Sequence, residues 1–578
     1  MAVRRGVWVV VTLIFVAVMV SAAGLVFTAL LVGRGPQVEG NSVLLMKIGG
    51  DLQEIEPGGI IGQFLESPPT VRSVTDALRK AKVDHRITAV VIRPVGTAAL
   101  WAKVQEVRDA ITDFRTSGKP VIGYLEQGGE QEFYLASACD KVFLMPTASL
   151  DLTGVASYEL FLRGTLDKIG AFPDVLHVGE FKTAGNAYTE KTFTPSHREM
   201  AESLNRDLFD QLVQGLATGR HKSESEIKAL IDHGPFLPED AVRAGLIDDV
   251  AYEDELDDKV QLARGTPKFV TDADYRQVSA ASLGLNKGPR IAVLYGVGMI
   301  GTGKSSDDAT QVLGSDTFIE SLRKARADKS IRAVVLRIDS PGGSAIASDV
   351  IWREVMLTRA VKPVIASMSD VAASGGYYIA MPAHQIVAEP ATLTGSIGVV
   401  MLKFVIDGTL EKLGMNIEPV TSGRYADLYS PVRPFSPEER KKVQEQMQAT
   451  YDAFVEKAAS GRQMTPERID AIAQGRVWTG KQAKDLGLVD ELGGLNRALA
   501  IARSRAQIAP DAEVELVIYP QRKSIYELVQ SPFGIKAGGV LQTLLGWKDA
   551  QAIQTLTAPL RIFRRGEPLA IMPNVFVR

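Results

Sequence analysis

The feature that most constrains this chain is that it repeats itself. Val74-Thr-Asp-Ala-Leu-Arg-Lys-Ala-Lys-Val-Asp-His-Arg-Ile87 reads like Phe318-Ile-Glu-Ser-Leu-Arg-Lys-Ala-Arg-Ala-Asp-Lys-Ser-Ile331, at an offset of 244 residues. The same offset superposes Ala89–Arg93 on Ala333–Arg337, Tyr134–Ala136 on Tyr378–Ala380, and Lys168-Ile-Gly170 on Lys412-Leu-Gly414. Ala244-Gly-Leu-Ile-Asp248 echoes Leu486-Gly-Leu-Val-Asp490 at an offset of 242. A period this long means two copies of one folded unit. The expected organisation is an anchor over 1–36, an α/β unit over 40–282, a second α/β unit over 287–515, and an extension over 516–578. At 578 residues the chain is too long for a single core in any case.

Within each unit short apolar runs alternate with helical stretches. Ala89–Arg93 and Ala333–Arg337 are continuously apolar apart from their last residue, as strands buried on both faces require. Alternation of such strands with helices predicts a parallel sheet with crossover helices. Ser436, followed by Pro437, Glu438 and Glu439, predicts the start of a long helix.

The copies differ where chemistry would sit. Ser396, between Gly395 and Gly398 in Leu393-Thr-Gly-Ser-Ile-Gly398, falls on Leu152 of the first copy, and Lys182 of the first copy falls on Ala426 of the second. Asp339-Ser-Pro-Gly-Gly-Ser344 faces Val95-Gly-Thr-Ala-Ala-Leu100, which lacks the paired glycines. A serine nucleophile needs a base, and none of the six histidines (85, 177, 197, 221, 233, 384) follows Ser396, so the order serine, histidine, aspartate is excluded. A neutral lysine can replace the imidazole if burial lowers its pKa, and Lys182 lies among small and apolar residues in Val178–Gly185. The N–H groups of Gly342 and Ile397 are the candidate donors to a developing oxyanion.

Other chemistries fall away. A net charge of −3 without a basic excess gives no reason to expect nucleic acid. Cys139 is the only cysteine, which excludes an internal disulfide and a cysteine-based zinc site; no metal or other cofactor is expected. Gly298-Met-Ile-Gly-Thr-Gly-Lys304-Ser305 matches a phosphate-loop pattern, but two acids, Asp307 and Asp308, stand where the phosphate-cradling helix should begin.

At the N-terminus Arg4 and Arg5 precede an uncharged run from Gly6 to Gly33. The run is long enough to span a bilayer, with the arginines inside and the rest of the chain outside the cytoplasm. It exceeds the apolar core of a cleaved signal peptide, the rival reading suggested by Ser21–Gly24.

Taken together, Asp339–Ser344, Ala372-Ala-Ser-Gly-Gly-Tyr-Tyr378, Leu393–Gly398, the Phe181-Lys182 segment, the tandem halves and the N-terminal run resemble the signal peptide peptidase A (protease IV) family in its long, two-repeat form. The resemblance implies a ClpP/crotonase-like spiral in each half and a Ser/Lys dyad with Ser396 as nucleophile and Lys182 as general base. A hydroxyl orienting the lysine is also implied, with Thr421 and Ser422 as the candidates. Further implications are a homotetramer facing an inner (cell) membrane and hydrolysis of signal peptides left after secretion. An acyl-CoA enzyme on the same spiral, without a serine nucleophile, and an inactive membrane scaffold are the competing readings.

Overall fold

The computed structural model describes residues 15–16, 18–19, 38–55, 69–262, 265–306, 311–521, 566–573 and 576–577. The apolar run expected to cross a membrane lies outside them except for four residues. Among the described residues no helix is long and apolar enough to span a bilayer.

The repeat is visible in the elements themselves. Helix Val71–Val83 is matched by Ser315–Ala327, and Trp101–Arg115 by Ala345–Arg359, both at the offset of the sequence repeat. In the first of these, Val71, Val74, Leu78 and Ala81 share one buried face, and Thr70 closes a capping box with Ser73. Its counterpart buries Phe318, Leu322 and Ala325 in the same way. The long helices Pro195–Arg220 and Pro437–Arg462 each begin with proline at the first position behind a hydroxyl cap, Thr194 and Ser436. Ser436 and Glu439 complete the capping box that the sequence predicts.

Each half builds a sheet of its own. In the first, the order is Asp249–Val250, Lys141–Leu144, Val121–Leu125, Ile87–Thr97, Ser42–Gly50, Lys268–Thr271, and every pairing is parallel. In the second, Arg290–Val297, Ile331–Ser340 and Val364–Ala373 form the parallel centre. Glu515–Tyr519 pairs with Arg290–Val297, so a strand straddling the expected boundary at 515 completes this sheet. The two largest apolar clusters among the described residues follow this division, one around Leu44, Val90 and Phe114, the other around Leu294, Leu336 and Tyr377.

A third sheet joins the halves. Phe172–Val178 of the first half pairs antiparallel with Val399–Val405 of the second, over seven residues. Leu569–Ile571, from the extension, lies between Val399–Val405 and Gly342–Ser344, antiparallel to both. The two halves are further clamped by Arg337, buried and bonded through its guanidinium to Glu54 at 2.7 and 2.8 Å and to Glu106 at 2.6 Å.

The stretch Gly298–Ser305 is not a phosphate loop. Ser305 N–H donates to Thr317 Oγ1 and its hydroxyl accepts from Gly314, and among the described residues the next helix opens at Ser315.

Candidate active site

The joining sheet brings Lys182 to Ser396. In its register Val178 faces Val399, so the chain four residues beyond one strand end meets the chain three residues before the other. Lys182 Nζ lies 3.0 Å from Ser396 Oγ and donates to the Ser396 carbonyl at 2.8 Å. Both residues are buried, Lys182 with 1% of its surface exposed.

Burial weakens the lysine's hold on its proton. Desolvation holds its pKa well below the ordinary lysine value, and among the described residues no carboxylate offsets it. The cage is made of backbone. A side chain on Gly475, whose φ is +77°, would sit 2.5 Å from the Lys182 Cα, and one on Gly398 would sit 3.0 Å from its Cδ. Glycine at these two positions lets the main chain close around the lysine stem and exclude water.

The third partner of the amine is Ser374, whose Oγ accepts from Lys182 Nζ at 2.8 Å. Thr421 and Ser422, the expected candidates for this role, lie in exposed chain, and the hydroxyl at the lysine is that of Ser374. The signal that could have found it is Ala372-Ala-Ser-Gly-Gly376, a serine held before two glycines like Ser396 between its own. Ser374 and Ser396 both have positive φ, 55° and 50°. Non-glycine residues in that region cost about 1–3 kcal/mol each and persist where surrounding structure imposes them. Here hydrogen bonds do so: Ser374 N–H donates to the Gly395 carbonyl, and Ser396 N–H to that of Arg476.

Gly342 completes the group. Its φ is +99°, and a Cβ there would collide with the Ala570 carbonyl at 1.9 Å and the Gly375 nitrogen at 2.6 Å. Its N–H donates to the Ser340 hydroxyl at 3.2 Å, a long bond that a developing oxyanion could replace. Ile397 is fully buried beside Ser396.

The last histidine before Ser396 is remote from it. His384 Nδ1 accepts from Val364 N–H, at the opposite end of strand Val364–Ala373 from Ser374. At about 3.3 Å per strand residue that is roughly 30 Å from the serines.

The slot beside these residues holds the chain's own extension. Ala345 N–H donates to the Pro568 carbonyl and Met572 N–H to that of Pro341, so the extension runs as an extended strand past Gly342. Its side chains are read by apolar surfaces. Leu569 and Ile571 pack on Val400, and Met572 packs among Met200, Ala373, Leu393 and Val477.

The family model for peptidase family S49 matches residues 113–265 and 356–509, once in each half. The chain belongs to peptidase family S49. Three similar proteins match over most of its length, across both halves. The chloroplastic serine protease SPPA of Arabidopsis thaliana is 36% identical over 526 residues, which cover 89% of this chain and 77% of that protein. Protease 4 of Salmonella typhi is 33% identical, over 79% of this chain and 75% of that protein. Protease 4 of Haemophilus influenzae is 31% identical, over 78% and 76%. As a member of S49 with these relatives the chain is a serine protease, and its fold is a pair of α/β S49 repeats.

Proposed function

We propose that this S49 protease cleaves peptides by acyl-enzyme catalysis with Ser396 as nucleophile and Lys182 as general base, and that its substrates are signal peptides left in or near a membrane. The observation that carries the reading is the 3.0 Å approach of a desolvated lysine amine to a serine hydroxyl across the two halves. The neutral amine takes the Ser396 proton as Oγ attacks the scissile carbonyl, and the Ser374 hydroxyl holds the amine in line. Gly342 and Ile397 N–H groups stabilise the oxyanion. The ammonium then returns its proton to the leaving amine, and water, activated by the same lysine, hydrolyses the ester.

Support for the substrate class comes from the slot. It accepts Leu569-Ala-Ile-Met572 as an extended apolar strand with backbone pairing on both sides. Such strand addition reads any chain that can extend and bury alternate apolar residues, and the hydrophobic core of a signal peptide meets both conditions. The Gly6–Gly33 run behind Arg4 and Arg5 would tether the enzyme to an inner membrane with the site on its outer side. Incubating the full chain with a synthetic signal peptide should give cleavage that Ser396→Ala abolishes, and a fluorophosphonate should modify Ser396. Undiminished cleavage by Ser396→Ala would overturn the reading.

The same repeat supports assembly into a closed ring, a homotetramer by the family resemblance. Inside the chain 172–178 pairs with 399–405. Their counterparts at the repeat offset are 416–422 and 155–161. Segment 416–422 is exposed, outside any strand, and presents Ile417 and Val420 to solvent. Pairing it with 155–161 of the next copy repeats the internal joint between molecules, a head-to-tail contact that closes when the rotation allows. Ile417→Asp combined with Val420→Asp should therefore convert the detergent-solubilised oligomer to monomers in light scattering. An unchanged mass would show that the ring closes elsewhere.

A further inference from the structure

Lys182 is not the only cation that the first half sends into the second. Lys103, on helix Trp101–Arg115, is buried, with its Nζ 2.8 Å from Asp339 Oδ2 and 3.5 Å from Asp370 Oδ2. Asp370 also accepts the backbone N–H of Leu100 at 3.1 Å and of Lys103 at 2.9 Å, while Asp339 Oδ1 accepts the N–H of Val371 at 3.1 Å. The two aspartates sit where the register of strands Ile331–Ser340 and Val364–Ala373 slips. Ile338 faces Met368, but Ser340 faces Ala372, so the second strand bulges through Ser369–Val371. Such bulges re-aim the chain downstream of them. Downstream of this one lie Ser340-Pro-Gly342 on one strand and Ala372-Ala-Ser374 on the other, the segments that supply the candidate oxyanion donor and the hydroxyl on Lys182.

The repeat shows the same division of labour as the dyad. At its offset Lys103 falls on Ala347, and Asp339 falls on Val95, so neither half has both partners. An isolated structural ion pair would not need to stand at the bulge, bind both strand ends and tie them to the other half's backbone.

We propose that Lys103 is a positioning residue for hydrolysis at Ser396: by bridging Asp339 and Asp370 it fixes the bulge that sets Gly342 and Ser374 against the Lys182–Ser396 pair. The inference rests on the Ser396/Lys182 reading above. Desolvation pushes the Asp370 carboxyl up to about 6 even with the cation present, so Asp370 depends on Lys103 to stay ionised. Glu54 adds a further negative charge to this cluster, and Arg337 with Glu106 lies on its far side.

The test is the rate at which a fluorophosphonate modifies Ser396 in the full-length wild type, in Lys103→Met and in Lys103→Met/Asp370→Asn, across pH and alongside thermal unfolding. In Lys103→Met the saturating rate should fall about a hundredfold with the half-saturating probe concentration unchanged, the scale of an ångström-sized misplacement. Without the cation the two carboxylates must share a proton, and losing it as pH rises drives them apart. The variant should therefore show a bell-shaped profile where the wild type shows one ascending limb. Removing one carboxylate in the double variant should abolish the descending limb and recover roughly a tenfold of the rate. A wild-type rate and profile in Lys103→Met, or a loss matching only the unfolded fraction with the profile unchanged, would overturn the proposal. Should the single variant not fold, a wild-type rate in the double variant would overturn it equally. Probe attached elsewhere than Ser396 in the wild type would overturn this inference together with the reading beneath it.

Discussion

Lys182→Arg is expected to be as inactive as Lys182→Ala, with kcat for peptide hydrolysis lower by about 10⁴-fold or more, the scale on which nucleophile–base units fail. A guanidinium keeps the positive charge but cannot give up its proton at any pH the protein survives, so it cannot accept the one from Ser396. Size does not rescue it either. The longer side chain would have to enter a cage in which Gly398 and Gly475 already lie against the stem. Ser396→Ala should lose as much, and Ser396→Ala/Lys182→Ala scarcely more than either, because the two residues act on one proton. Ser374→Ala leaves the base in place without its third partner, and should cost about 10–100-fold with the fold intact. Steady-state hydrolysis of a fluorogenic peptide checks all five variants. Substantial activity in Lys182→Arg, or a double variant far below both singles, would mean that another group is the base.

The second large effect is on stability. Arg337→Met should destabilise the protein by about 3–5 kcal/mol, because it leaves Glu54 and Glu106 facing each other in the interior without their cation. Against that, Arg337→Met/Glu54→Gln/Glu106→Gln should recover most of the loss, since an apolar or neutral replacement of a whole buried cluster is tolerated far better than half of one. The pH dependence has a definite sign. Although desolvation, the largest influence, acts to raise it, the Glu54 pKa is lowered overall by Arg337 in the folded protein, and its contribution is present above the unfolded glutamate value and lost as pH falls through the folded one. In Arg337→Met the carboxyl instead prefers its neutral form, so the deficit should shrink on acidification. Denaturant midpoints at two pH values read this directly; a deficit under about 1 kcal/mol would show that the clamp contributes little.

Much of this arrangement is legible in the sequence because the repeat exposes what each half has altered. Leu152 where the second half has Ser396, and Ala426 where the first has Lys182, mark both positions without any knowledge of their distance. The parallel sheets are equally open to reading, since strands buried on both faces are continuously apolar. What escapes is what depends on backbone conformation and on pairing across the halves. Ser374 looks like any small residue in a glycine-rich turn until a φ of 55° aims its hydroxyl at the lysine. Thr421 and Ser422 have suitable side chains but belong to 416–422, the counterpart of a strand that in the first half finds a partner and here finds none among the described residues. Leu569–Met572 is four apolar residues with no repeat partner, too short to announce a strand, and its place beside Gly342 is decided by the open edge of Gly342–Ser344. Lys103, Asp339 and Asp370 are likewise ordinary charges in sequence; the slipped register between two strands places the aspartates, and a helix of the other half brings Lys103 to them.

The most direct test of a lysine base drawn from one half for a serine in the other is the pH dependence of a single turnover, the acylation of Ser396 under saturating reagent. One ascending limb is expected, with a midpoint well below the ordinary lysine value of 10.5, and Lys182→Arg should lack it at every pH. A midpoint close to 10.5, or the same limb persisting in Lys182→Arg, would contradict it.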